Sequence, residues 1–355
     1  MPNKKKLNRQ TSFANAINEA IAISMQRDKK TILMGLGVDD PKGIFGTTKG
    51  LKEKFPNRVF DMPTSENAIT AFSIGLSMKN YKSIITHQRV EFSLLSVEQI
   101  VNQAAKWHFM NAGQMSVPIV IRMVIGRGWG QGPQHSQTLE ALYANIPGLK
   151  IVSPSTPSDA KGIMIAAIED LNPVLFFEHR WLHHIEGKVK TSYYKTKIGK
   201  SKILKKGKDI TIVTNSFTTL EATKAIDKIK NLKISIELID LLTIRPLDVK
   251  TIIKSVKKTG RLLVVDNGWK TYGISAEILS IVAEKVPNCK AYSRIGTHEN
   301  SIPSSQSLAK FFYPTPYSIS KEIFRILKIN QSILDKIFSE KYSSDQPDPS
   351  FTGPF

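Results

Sequence analysis

Residues 60–75, FDMPTSENAITAFSIG, set a carboxylate, Glu66, into a stretch otherwise suited to burial. It follows a Pro-Thr-Ser turn and precedes small residues at helical spacing. Such a carboxylate either sits at a helix N-terminus, where the dipole favours it, or handles a proton as a general acid or base. The dipole alone gives no reason for the apolar flanks, and the residues by themselves leave both readings open. His135, in PQHSQ, comes just after the glycine-rich GRGWGQG at 126–132, which itself follows the strand-like VPIVIRMV. A glycine loop at a strand end lets backbone approach a ligand closely. The polar flanks of His135 argue against a core histidine and leave an idle surface histidine as the plain alternative. HRWLHH spaces His179 and His183 four apart, one face of a helix. That stretch follows the strand-like PVLFFEHR, and no carboxylate completes a zinc-like ligand set, so no protein-only metal site is expected. GLGVDD lacks the third glycine of a dinucleotide fingerprint, and no GxxxxGK[ST] phosphate loop is present.

The elements that must hold these residues alternate strand and helix, the pattern of α/β folds with parallel sheets. Helical spacing covers 12–27, 67–79 and 96–110, and strand character covers 31–38, 58–63, 82–87 and 117–124. Residues 151–170 read as strand, loop and helix with Ser158 as N-cap. A strand at 173–180 closes the first unit. The stretch 184–208 is polar, Lys-rich and without clear period. A second α/β unit then runs through strands at 209–216, 234–241 and 261–268 and helices at 218–230, 248–260 and 274–286. The expected organisation is two doubly wound α/β domains, at 1–188 and 209–329, joined by a linker at 189–208. The start MPNKKKLNRQ reads as a solvated arm, and 330–355, rich in Pro, Ser and Asp, as a flexible tail.

The net charge of +20 raises nucleic acid as a partner. The lysines fall singly or in pairs on periodic segments, with no aromatic-interleaved basic stretch to stack bases, so nucleic acid is not expected. Small anions or an acidic partner suit the charge better. No apolar run is long enough to span a bilayer, and no hydrophobic stretch follows the basic start. A lone cysteine, Cys289, excludes an internal disulfide framework and fits a reducing cytoplasm.

Several stretches in fixed order resemble the beta subunit of the thiamine-diphosphate-dependent, decarboxylating component of 2-oxo-acid dehydrogenases, of transketolase-like plan. They are ILMGLGV, RVFDMPTSENAI, VEQIVNQAAK, VPIVIR, PQHSQ, PGLKIVSPSTPSDAKG, IDLLTIRPLD and VKKTGRLLVVD, and the likeness runs from about Phe13 to Leu327. The resemblance implies a transketolase-type pyrimidine-binding domain followed by a transketolase C-terminal domain. It implies that Glu66 hydrogen-bonds the aminopyrimidine of thiamine diphosphate and drives the tautomer change that makes the cofactor's carbon acidic. By the same resemblance Thr64 borders the cofactor and Phe92 stacks on the pyrimidine. His135 reaches the reacting centre, and Ile119, Ala167, Ile168, Asp170 and Asn172 hold a monovalent cation such as K+, mainly through backbone oxygens. The Gly-Asp-Gly motif that holds Mg2+ and diphosphate is absent from these residues. The resemblance therefore implies an alpha-type subunit supplying that site, an alpha2-beta2 heterotetramer, and a lipoyl acyltransferase as acceptor.

Three departures bear on substrate. Leu36 stands where the family usually has a glutamate, and Leu95 where a glutamine is common. His87, Gln88 and Arg89 precede Phe92 where relatives often carry apolar or acidic residues. With His179 and Arg180, His87 and Arg89 suit an anionic or sugar-like substrate better than pyruvate. The expected function is decarboxylation of a 2-oxo acid with acyl transfer to lipoyl. The rivals are a two-chain transketolase or acyloin-forming enzyme, and a degenerate scaffold subunit.

Overall fold

The computed structural model describes residues 8–126 and 130–338. The arm at 1–7, residues 127–129 of the glycine loop and the tail at 339–355 lie outside the described residues. In chain order the regular elements begin with β1 Asn8–Ser12, α1 Phe13–Arg27, β2 Thr31–Gly35, α2 Leu51–Lys54, β3 Val59–Asp61, α3 Glu66–Ser77, β4 Lys82–His87 and α4 Trp107–Met110. They continue through β5 Ile119–Ile125, α5 Glu140–Ala144, β6 Lys150–Val152, α6 Pro157–Ile168, β7 Val174–His179, β8 Glu186–Lys190, β9 Lys202–Lys205, β10 Ile210–Thr214 and α7 Phe217–Lys228. The rest are β11 Ile236–Asp240, β12 Thr243–Arg245, α8 Val249–Thr259, β13 Arg261–Trp269, α9 Ile274–Lys285, β14 Ala291–Thr297, α10 Gln306–Phe312, α11 Pro316–Leu327 and α12 Ser332–Ile337.

The chain forms two compact units. The first holds a seven-stranded sheet in the order β12-β6-β7-β5-β4-β2-β3. Every registered pair from β3 to β6 is parallel. All residues of β2, β5 and β7 are buried, as a parallel sheet covered on both faces requires. Helices α1 and α6 pack on each other. The start of α1 is fixed by Ser12, whose hydroxyl accepts from Asn15 N. Residues 8–10, read from sequence as the end of a solvated arm, instead belong to β1, which pairs antiparallel with β8. Strands β8 and β9 also occupy the ends of the 184–208 stretch, where charged residues hide the period.

The second unit includes residues 126–141 as well as the chain from 199, except residues 244–246. Its sheet runs β14-β13-β10-β11-β9, with β9 antiparallel on the edge and the others parallel. Helices α7, α11 and α12 pack over Ile210, Ile212, Leu263 and Val265, so 332–337, read from sequence as part of a flexible tail at 330–355, instead forms a helix on this core, held by buried Leu334. Helix α8 shows how sequence makes this layer. Asp248 caps its first turn, Ile252, Ser255, Val256 and Thr259 form its buried stripe, and Gly260 ends it at a left-handed φ of 67°.

Two local expectations need correction. Helix α6 begins at Thr156 and not Ser158. Pro157 fits the first helical position and the Thr156 hydroxyl accepts from Asp159 N. The stretch 96–110 is not one α-helix. A 3₁₀ segment, Val90–Ser96, leads to a π-helix, Gln99–Ala104, and then to the short α4. Ala105 N donates to Ile100 O, five residues back, and apolar spacing alone does not separate that pitch from an α-helix.

Candidate active site

The carboxyl ends of β2, β3, β4, β5 and β7 share one edge of the first unit's sheet, because their pairing is parallel throughout. The chain leaves β2 toward β3 on one side and later enters β4 on the other, so a crevice opens between the ends of β2 and β4. Ligands of open α/β sheets bind at such a point. Around it, Gln88 Nε2 donates to Leu36 O at 3.1 Å, and Gly37 N donates to Asp61 Oδ1 at 2.6 Å. Gly37 has a φ of 71°, and an added Cβ would press on Gln88 Nε2.

Glu66 opens α3 five residues beyond the end of β3. It is only 5% exposed, and among the described residues its Oε2 has no hydrogen-bond partner. Ser65, at the cap position, makes no side-chain capping bond. The next turn explains how Glu66 is held. Thr70 Oγ1 donates to Glu66 O at 2.8 Å and lies 3.5 Å from His87 Nε2. Ser96 Oγ lies 3.5 Å from the same nitrogen. A Thr and Ser face on α3, with Ser73 and Ser77 further along, lets β4 and the 3₁₀ segment come close. Burial holds His87 down at about 4, so its ring is neutral near pH 7, and its Nδ1 has no partner among the described residues. An unpartnered carboxylate oxygen and an unpartnered imidazole nitrogen are thus buried on one edge, where each loses free energy unless a ligand meets it.

The other predicted residues distribute as follows. Thr64 is exposed in the turn before α3. Phe92 is half-buried in the 3₁₀ segment, its N donating to Arg89 O. His135 belongs to the second unit, half-buried, its N donating to Gly132 O at 3.4 Å. Gly132 has a φ of 67°, and a Cβ there would collide with the Ser304 hydroxyl, so this loop needs glycine. His179 Nδ1 accepts from Trp181 N at 3.2 Å and so caps the turn after β7. Arg89 and Arg180 are both buried and near enough for one charge to affect the other.

The residues carried over for a monovalent cation lie at the start of β5, the end of α6 and the loop after it. Asp170 Oδ2 takes Lys150 Nζ at 2.5 Å, and its Oδ1 takes Asn172 N and Nδ2. Its carboxylate is thus already balanced by an ammonium, which leaves backbone oxygens as the donors for such an ion.

Sequence reasoning missed the most buried ionic group of this unit. Arg122 on β5 grips Glu178 on β7 with Nε and Nη2 at 2.6 and 3.0 Å, and its Nη1 donates to Thr86 Oγ1. His183 Nε2 lies 3.1 Å from Glu178 Oε2. Burial pushes Glu178 up, but Arg122 and His183 outweigh it and hold the carboxyl below its ordinary range. Burial holds His183 down at about 4 despite Glu178. The signal was one lone charge in each of two otherwise apolar strands, VPIVIRMV and PVLFFEH.

Comparison with known proteins settles the family. Residues 9–184 match the transketolase pyrimidine binding domain and residues 199–319 the transketolase C-terminal domain. The chain is 36% identical to the acetoin:2,6-dichlorophenolindophenol oxidoreductase beta subunit of Cupriavidus necator, over 90% of this chain and 98% of that one. It is also 36% identical to the pyruvate dehydrogenase E1 component beta subunit of Rickettsia bellii, over 90% and 99%. The chain belongs to the E1 beta subunit family. A split-gene transketolase, solved as an inactive beta4 tetramer, shares the fold with a TM-score of 0.75 at 18% identity, over 90% of this chain and 99% of that one. The transketolase-like two-domain architecture read from the sequence motifs is thus the fold of this E1 beta family member. Among its described residues no helix is long and apolar enough to cross a membrane.

Proposed function

We propose that this chain is the beta half of a heteromeric thiamine-diphosphate enzyme that decarboxylates a 2-oxo acid and passes the acyl unit to a lipoyl acceptor. The observation that carries the reading is the buried, unpartnered Oε2 of Glu66 at the carboxyl edge of the sheet. When bound, the cofactor supplies a carbon nucleophile and an electron sink for the charge left by departing CO2. Glu66 holds or moves a proton at the pyrimidine ring nitrogen, and Thr70 fixes the start of α3 so that the carboxylate keeps its aim. Phe92 offers its ring face to the pyrimidine, Thr64 borders it, and His135 donates a hydrogen bond at the reacting centre. Neutral His87, at the end of β4, keeps a buried Nδ1 without a partner among the described residues and adds a polar group to that edge.

The absent Gly-Asp-Gly leaves Mg2+ and diphosphate to an alpha-type subunit, and two copies of each chain make an alpha2-beta2 assembly. Backbone oxygens of Ile119, Ala167, Ile168, Asp170 and Asn172 are the donors for a K+ ion. A lipoyl acyltransferase is the acceptor, and a single cysteine suits a cytoplasmic setting. The test is co-expression with an alpha-type chain and an assay of CO2 release coupled to reductive acylation of lipoamide. Acylation supports the reading. Carbon–carbon bond formation with an aldehyde in place of acylation would move the chain to the transketolase or acyloin reading.

A further inference from the structure

The second unit's sheet has a crevice of the same topological kind as the first. From β10 the chain passes through α7 to β11 on one side, then through α8 to β13 on the other, so the carboxyl ends of β10 and β13 part. Open α/β sheets hold ligands at such a point. Here a segment of the same chain lies against it. Thr138 O stands 3.4 Å from where a Cβ on Gly268 of β13 would be, and Glu140 Oε1 accepts from Asn215 Nδ2 at 3.5 Å. Asn215, just past β10, is itself fixed from both sides. Its carbonyl oxygen accepts from Asn267 Nδ2 of β13 at 2.9 Å and from Thr218 Oγ1 of α7 at 2.8 Å. Glu140, Asn215 and Asn267 are all buried.

Two helices start at this edge, and they are capped differently. For α9, after β13, the strand supplies the acid: Asp266 Oδ2 accepts from Ser275 N and its Oδ1 from Gly268 N, both at 3.0 Å. For α7, after β10, Ser216 stands at the cap position, yet its side chain makes no capping bond. Ser216 is fully buried, and its Oγ has no partner among the described residues. Its backbone holds φ 50° and ψ −130°, a conformation that residues other than glycine keep only when their surroundings impose it. Asp240, at the end of β11, accepts from Thr219 Oγ1 at 3.2 Å, inside the first turn of α7. The acid that meets the residue ahead of Ser216 is Glu140, and it comes from outside the sheet. The dipole of α7 favours a carboxylate there. A crevice of the kind that takes a ligand is thus met by an acid side chain on a tether.

The tether carries His135. Gln137 O, two residues beyond His135, accepts from Gly126 N at 3.1 Å, and α5 begins at Glu140. We propose that Glu140 is a tethered carboxylate ligand of this second crevice and positions the segment that bears His135. The proposal rests on the reading above, in which His135 donates a hydrogen bond at the reacting centre. Glu140 does not touch the reacting atoms. It acts through His135, because a donor displaced by about 1 Å can lose about 100-fold in rate.

The test uses the complex of this chain with its alpha-type subunit. Glu140→Ala removes the carboxylate and leaves room for a formate ion. Hydrogen-exchange mass spectrometry should show exchange over residues 130–141 rising by about 10- to 100-fold, the range of a lost charge-assisted contact. Formate should reverse the rise, and chloride at the same ionic strength should not. A residue that merely fills space would not respond to formate. With pyruvate as the probe substrate, Glu140→Ala should lower kcat by about 10- to 100-fold with little change in KM, formate should restore it, and the loss should vanish in a His135→Ala background. Glu140→Gln keeps an acceptor for Asn215 and should recover part of the loss. If Glu140→Ala does not assemble, Asn215→Ala removes the donor instead and should raise exchange over the same residues. Native exchange in the variant that assembles, or a rise in Glu140→Ala that formate leaves in place, overturns the proposal. The exchange readout needs no turnover, so the crevice is judged apart from the parent reading. Formate-reversible exchange together with a His135→Ala complex as active as the native one keeps Glu140 in the crevice and removes His135 from the reacting centre.

Discussion

His87→Phe probes the buried edge directly, through pH. In the folded chain burial holds the His87 ring at about 4, against about 6.5 in an unfolded chain. Since the folded value is the lower one, the unfolded chain takes up the proton first as pH falls. Stability contributed by the neutral ring is fully present above about pH 6.5, drains away below it, and is gone by about pH 4. At pH 5 the loss comes to about 2 kcal/mol for this one residue, and at pH 7.5 it is close to zero. Phenylalanine carries no proton and has a similar shape. Thr70 and Ser96 keep their hydrogen bonds to Glu66 O and Ser93 O without the ring. Urea unfolding of both proteins at pH 7.5 and 5.0, at one protein concentration, should show His87→Phe gaining about 2 kcal/mol on the native chain between the two pH values. Glu178 does not confuse the reading, because its depressed carboxyl loses its stabilising charge only below about pH 4.3. Parallel pH profiles for the two proteins would mean that His87 is charged or solvated in the folded state, and the account of this edge would be wrong.

Other substitutions test other layers. Glu178→Gln strands the Arg122 guanidinium in the sheet and should cost about 3–5 kcal/mol in chemical denaturation; a loss below about 1 kcal/mol would show that the pair is not buried as described. Thr156→Ala removes the cap of α6 and should cost about 1 kcal/mol, whereas Ser158→Ala should cost less; the reverse order would restore Ser158 as the cap. Gly132→Ala forces a left-handed Cβ against Ser304 and should lower the thermal midpoint clearly, while an unchanged midpoint would show that the loop is free to move.

Much of the architecture was legible because burial imposes period. Strands such as ILMG and IVIRMVI are continuous apolar runs, and α8 announces its cap, stripe and terminal glycine in eleven helical residues. Three features were hidden for separate reasons. The π-helix keeps Ile100 and Ala104 buried at the same sequence spacing an α-helix would use. Strand β9 is an exposed edge whose lysines mask its pairing with β11. The partnership of Arg122, Glu178 and His183 is made across strands, so no local window contains it. The burial of Glu66 was legible in its apolar flanks. Thr70 and Ser96 were not, because a hydroxyl on a helix face has no sequence mark until β4 is packed against it. His179 was grouped with Arg180 by adjacency alone, and the structure gives its ring a local capping bond.

The central claim is that Glu66 manages a proton for a cofactor held between this chain and an alpha-type partner. It is tested most directly by NMR measurement of hydrogen–deuterium exchange at the C2 carbon of thiamine diphosphate bound to the assembled complex, for the native protein and Glu66→Gln. The account predicts that the substitution leaves assembly and cofactor content in place and slows exchange by at least about 100-fold, the usual weight of a positioned acid or base. Exchange at the native rate in the fully loaded Glu66→Gln complex would contradict it.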